Sequence, residues 1–95
     1  MPEKDAYYYH YKHDPAGPIN YYAYKVIGLA LHTEENDSLV IYRPLYDPKD
    51  GLMDGFDFCA RPLKMFKETV QKDGQAVPRF SKITDPKIIS ELEKF

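Results

Sequence analysis

Five side chains in this sequence have the types and the order needed for acid–base or anion chemistry: His32, Glu34, Tyr42, Arg43 and Arg61. A histidine titrating near neutral pH beside a carboxylate can move a proton, and two guanidiniums can hold a carboxylate or phosphate through paired hydrogen bonds. The five come from three stretches, His32-Thr33-Glu34, Tyr42-Arg43 and Arg61-Pro62. In a small β domain, segments adjacent in the chain tend to meet, so these residues are expected to gather at one ligand-binding mouth. A purely structural reading uses the same residues: His32 caps the turn over 33–37, Glu34 pairs with an arginine, and Arg61 satisfies carbonyls freed by Pro62.

Other candidates carry less chemistry. Tyr22, Tyr42, Tyr46 and Phe58 can line a groove that stacks on a proline-rich peptide or a base, or can simply fill a core. His10, His13 and Asp14 are metal-ligand types, but residues three apart on a strand point to opposite faces, so no metal site is expected. Cys59 has no Cys-x-x-Cys partner and reads as a small buried hydrophobe. No dinucleotide-binding, phosphate-loop, nucleophile-elbow or zinc-protease motif occurs, so no cofactor is expected and no residue is assigned a catalytic role.

The elements that must position these groups are short. A chain of 95 residues has room for one domain. Nine tyrosines and five phenylalanines, with no tryptophan, favour half-buried strands. Thirteen basic against fifteen acidic side chains, a net charge of -2, offer no general attraction for a polyphosphate, which disfavours nucleic acid as a partner. No apolar run is long enough for a membrane span, and a single cysteine agrees with a reducing compartment, so a cytoplasmic location without membrane partners is expected.

Residues 7–12 read as a first strand, closed by a loop containing Pro15, Gly17 and Pro18. Residues 21–31 form a second, with a bulge, bend or close backbone approach expected at Gly28. Residues 38–46 form a third, in which Leu39, Ile41, Arg43 and Leu45 share a face. The stretch 47–57 is a projecting loop, 58–61 a short strand, and 62–66 a tight or helical turn. Asp73-Gly74 joins a hairpin of 68–72 and 76–80. Asp85 caps a helix with Pro86 at its first position and Ile88, Ile89, Leu92 and Phe95 on one stripe.

The order of these motifs resembles a small, mostly bacterial family known as domain of unknown function 1653. The matching residues run from His10-Tyr11-Lys12 through Tyr24, Val26, Gly28, Ala30, His32-Thr33-Glu34, Tyr42-Arg43, Leu45-Tyr46, Arg61-Pro62-Leu63 and Met65-Phe66. They continue in Glu68, Val70, Asp73-Gly74 and Val77-Pro78-Arg79-Phe80. The resemblance implies a compact SH3-like barrel and no established activity. Three departures stand out: an insertion over 13–20, Cys59 where the family carries tryptophan, and an added C-terminal helix.

The expected molecule is therefore mainly β, an SH3-like barrel over 1–84 with an amphipathic helix over 85–95 packed on it. Its expected role is a non-catalytic binding module for a protein, a peptide or a small anionic ligand. The alternative is a small enzyme in which His32 and Glu34 exchange protons while Arg43 and Arg61 bind an anionic substrate. A third is an oligomerisation piece presenting an apolar patch.

Overall fold

The computed structural model describes residues 1–95 apart from the side chain of Asp50. The chain is mainly β. Strands β1 (Tyr7–His10), β2 (Ala23–His32), β3 (Asp37–Pro44) and β4 (Cys59–Pro62) are followed by a single helical turn, α1 (Leu63–Phe66). Strands β5 (Thr69–Lys72), β6 (Gln75–Pro78) and β7 (Phe80–Lys82) come next, and α2 (Pro86–Leu92) closes the order. A five-stranded antiparallel sheet runs β4-β3-β2-β1-β7, and β5-β6 form a separate two-stranded hairpin.

The sheet is not closed into a barrel, so the SH3-like likeness extends only to small size and strand content. Its edges are β4 and β7. Pro62 ends β4, where a missing N–H limits further pairing. The β5-β6 hairpin, which would have to join the edges, is extended by the Arg79 N–H to the Glu68 carbonyl and meets the chain just beyond β1 through isolated bonds: Tyr11 N–H to the Arg79 carbonyl and Lys72 Nζ to the Tyr11 carbonyl, each 2.8 Å. The expected β-run over 76–80 thus splits at Arg79, with β6 staying in the hairpin and β7 crossing to pair with β1.

Local signals set most boundaries. Asp73 and Gly74 both have positive φ (52° and 79°), the backbone a two-residue primed turn requires. The Asp85 carboxylate accepts the Lys87 N–H at 2.9 Å, capping α2 ahead of Pro86. On α2, Leu92 is buried, Ile88 and Ile89 are half-buried, and Phe95 lies beyond the helix and half-exposed. Along β2 the register shifts between Val26 and Gly28, so the expected irregularity is present as a bulge. Close backbone approach is not its cause, since a Cβ on Gly28 would meet no atom within 4 Å.

Alternation along the strands gives the sheet two unlike faces. One, the aromatic face, carries Tyr8, Tyr24, Val26, Val40 and Tyr42, over which Phe66 of α1 and Phe80 of β7 pack. The other, the helix face, buries Tyr7, Ala23, Leu45 and Ile83 under Leu92 of α2. Ile19, from the loop between β1 and β2, also packs there, and Tyr9 donates its hydroxyl to the Ile19 carbonyl at 2.6 Å. The loop over 13–20 and the C-terminal helix therefore cover the same side of the molecule. Leu39, Ile41, Arg43 and Leu45 share that helix face, while the larger core lies on the opposite one.

Candidate functional site

Phe80 organises the aromatic face. It is stacked on Phe66 with centroids 4.2 Å apart, and the edges of Tyr24 and Tyr42 meet it at 5.6 and 5.8 Å. Its register opposite His10 brings that imidazole edge-on at 5.1 Å. The Arg61 guanidinium lies 5.5 Å over the same ring, and its Nε donates to the Tyr42 hydroxyl at 3.3 Å. Val40 and Arg61 are cross-strand partners, which puts Arg61 on the aromatic side of β4. Among the described residues, no carboxylate comes within ion-pair distance of Arg61.

A row of tyrosines extends this patch. Tyr24 and Tyr46 share a hydroxyl hydrogen bond at 2.6 Å, and burial raises both pKa values, most of all that of Tyr24. Both phenols stay protonated at neutral pH and serve as hydrogen-bonding groups, not bases. Tyr22 stacks toward His10 at 5.7 Å and tilts against Tyr46 at 5.4 Å. It holds φ at +56°, uncommon for a bulky side chain and costing of order 1–3 kcal/mol. Tyr21, Tyr22, Tyr46, Pro48 and Leu52 line a groove of about 270 Å³ that continues the patch outward.

The electrostatics around His10 are one-sided. Burial, then the charges of Arg61, Lys12 and Arg79, lower its pKa to about 4, so it is neutral at physiological pH. Arg79 leans on Glu68 at 3.4 Å, yet its Nε is buried with no hydrogen-bond partner among the described residues. Cys59, half-buried beside the same core, donates its thiol to the Met53 sulfur at 3.5 Å, and burial pushes its pKa up. That thiol is a poor nucleophile.

The structure brings Tyr42 and Arg61 together and distributes the other three expected ligand-binding residues elsewhere. Arg43 follows Tyr42 in β3 and so projects from the helix face, where its guanidinium reaches the Phe95 carbonyl at 3.4 Å. The two arginines occupy opposite sides of the sheet. His32 pairs with Asp37 at the far end of the β2-β3 hairpin, and six residues of strand rise separate Asp37 from Arg43, about 20 Å. There the His32 Nδ1 accepts the Glu35 N–H at 3.3 Å, holding the turn, and Glu34 is exposed on it. The proton-exchange pair and the two-arginine clamp are not assembled in one pocket.

Of the groove residues, Tyr42 is core, Tyr22 and Tyr46 line the groove, and Phe58 stands half-exposed ahead of β4. His13 stacks on Tyr9 at 3.6 Å, on the other side from the His10–Phe80 pair. Among the described residues no three metal-ligating side chains converge. His10 and Phe80 were not expected in a site. Their meeting depends on β1 pairing with β7, some 70 positions away in sequence, for which the only hint is that both stretches are β-formers.

Comparison with known proteins agrees with this architecture. A crystal structure of a DUF1653 protein from Bordetella bronchiseptica is similar, with a TM-score of 0.64 and 28% identity over 85% of this chain and 87% of that one. No protein of curated function matches. The family model described as protein of unknown function (DUF1653) matches residues 6–82, and the chain belongs to that family.

Proposed function

We propose that this domain is a non-catalytic binding module that holds a small anionic ligand, or a peptide carrying an anionic group, on its aromatic face. The observation that carries the reading is Arg61, a guanidinium laid on Phe80 and anchored by the Tyr42 hydroxyl without a carboxylate to neutralise it. Fixed in this way, its remaining N–H groups are presented as a fork matched to carboxylate or phosphate oxygens. The adjoining groove of Tyr21, Tyr22 and Tyr46 offers flat apolar surface for the body of the same ligand. The strained Tyr22 backbone favours a role there, because strain of this kind is retained where it shapes a binding surface. A single cysteine supports a reducing compartment such as the cytoplasm.

Calorimetry with benzoate, on the parent and two variants, tests the reading. Arg61→Gln is expected to weaken binding roughly 10- to 150-fold, the equivalent of about 1.5–3 kcal/mol for a charged hydrogen bond, while Arg43→Gln leaves it unchanged. Equal losses in both variants, or binding indifferent to either, would rule the site out.

A further inference from the structure

The groove of about 270 Å³ beside the aromatic face is walled by three phenol rings and bordered, among the described residues, by one carboxylate and one ammonium, Asp47 and Lys49. Two segments build it, the turn ahead of β2 and the exit from β3. They are tied together: the Leu45 N–H donates to the Ala23 carbonyl at 2.9 Å, and the Asn20 side-chain amide donates to the Leu45 carbonyl at 3.0 Å. Successive side chains of an extended strand point to opposite faces, yet Tyr21 and Tyr22 both line the groove, because Tyr22 turns the backbone at φ +56°. The Tyr21 and Tyr22 rings stand at 86° with centroids 6.4 Å apart, and each is tilted against Tyr46 at 5.4 Å. A triangle with those sides leaves room for one point within about 6 Å of all three centroids, the range over which ring faces attract a cation.

Charge decides between a neutral guest and a cation. Asp47 follows Tyr46 directly and carries its carboxylate on a short stem at the rim of the groove, with no ion pair among the described residues. Lys49 is exposed and carries its charge on a four-carbon stem that extends into water, so the carboxylate sets the field at the rim. A primary ammonium brings three N–H donors that all need acceptors. A methylated ammonium spreads its charge over C–H surface, which ring faces and one carboxylate satisfy. The volume lies below the roughly 300–1,000 Å³ of pockets for drug-sized ligands and suits a headgroup instead. We infer that the groove is a site for a quaternary ammonium headgroup, held on Tyr21, Tyr22 and Tyr46 with Asp47 as its counter-ion. The assignment concerns the groove alone and stands whether or not Arg61 holds an anion; a ligand reaching both would carry opposite charges at its two ends.

Tetramethylammonium is the probe and tert-butanol its neutral counterpart of similar shape, each titrated at constant ionic strength and followed by NMR of the amide and tyrosine-ring signals. Tetramethylammonium is expected to shift Tyr21, Tyr22, Tyr46 and Asp47 and to bind about tenfold tighter than tert-butanol. Tyr21→Phe keeps the ring face and should keep the affinity, whereas Tyr21→Leu should weaken binding roughly 2- to 30-fold. Asp47→Asn and Lys49→Gln should act in opposite directions, the first weakening and the second strengthening binding by roughly 1.5- to 5-fold. All three positions are exposed, so these variants leave the core intact, and the amide spectrum confirms the fold. Equal affinity for the two probes would overturn the cation assignment, as would a Tyr21→Leu variant that binds like the parent or tetramethylammonium shifts absent from the groove. Asp47→Asn and Lys49→Gln moving the affinity the same way, or neither moving it, would overturn the role of Asp47 as counter-ion. Benzoate binding and its response to Arg61→Gln report separately on the anion reading, so either assignment can fail while the other stands.

Discussion

Replacing Phe80 by alanine strikes the fold and the site together. The ring is 7% exposed, stacked on Phe66 at 4.2 Å, and bordered by Tyr24, Tyr42, His10 and the Arg61 guanidinium. Truncating a buried phenylalanine costs about 3–5 kcal/mol, because the transfer free energy of the ring is lost and neighbours held by strands cannot collapse into the cavity. For 95 residues the total stability is roughly 5–14 kcal/mol at about 0.05–0.15 kcal/mol per residue. Phe80→Ala therefore removes at least about a fifth of it, and most of it toward the lower bound of stability, while Phe80→Leu, which keeps much of the volume, removes far less. Urea unfolding followed by tyrosine fluorescence or circular dichroism measures both. The alanine variant should lower the midpoint sharply at an unchanged slope. A loss below about 1 kcal/mol would mean that the ring is not at the centre of this packing and that the site built on it is misplaced.

Three other outcomes follow from particular residues. Gly28→Ala should be neutral or slightly stabilising, up to about 1 kcal/mol, since its added Cβ meets nothing within 4 Å, whereas Gly74→Ala at φ +79° should destabilise by about that amount; thermal melts of the two separate the cases. His10, lowered from an ordinary 6.5 to about 4, is neutral in the fold and takes up its proton first in the unfolded chain, so its contribution is complete above pH 6.5 and declines as pH falls toward 4. Denaturation between pH 7.5 and 4.5 should show a shallower decline in His10→Phe than in the parent, and identical profiles would refute the shift. Asp85→Ala removes the N-cap of α2 and should cost about 0.5–2 kcal/mol, read from the melting temperature.

What could be read from the chain was what is encoded locally. Asp73-Gly74 and Asp85-Pro86 announce a turn and a helix start within a few residues, and both are found. The alternation of β3 told which residues share a face, Leu39, Ile41, Arg43 and Leu45, but not that the larger core would form behind Val40 and Tyr42. Face assignment needs partners, and those come from α1 and β7. The same limit applied to the site. Tyr42 and Arg61 were recognised as candidates by residue type, and β3-β4 pairing does bring them together. Arg43 is excluded from that cluster by a single step in strand parity, and His32 and Glu34 by the length of the β2-β3 hairpin. His10 and Phe80 meet through the pairing of the first strand with the last, which no short-range pattern announces. The barrel was expected because many short strands usually close. Here the chain leaves the hairpin at Arg79 and adds β7 to an open sheet instead.

The most direct test of the account is to titrate the isotope-labelled domain with benzoate and follow its amide, histidine-ring and arginine Nε–H signals. The predicted shifts gather at His10, Tyr22, Tyr42, Arg61 and Phe80, while Arg43, His32 and Glu34 stay still. Perturbations confined to the helix face or to the β2-β3 tip would contradict the assignment of the aromatic face as the ligand site.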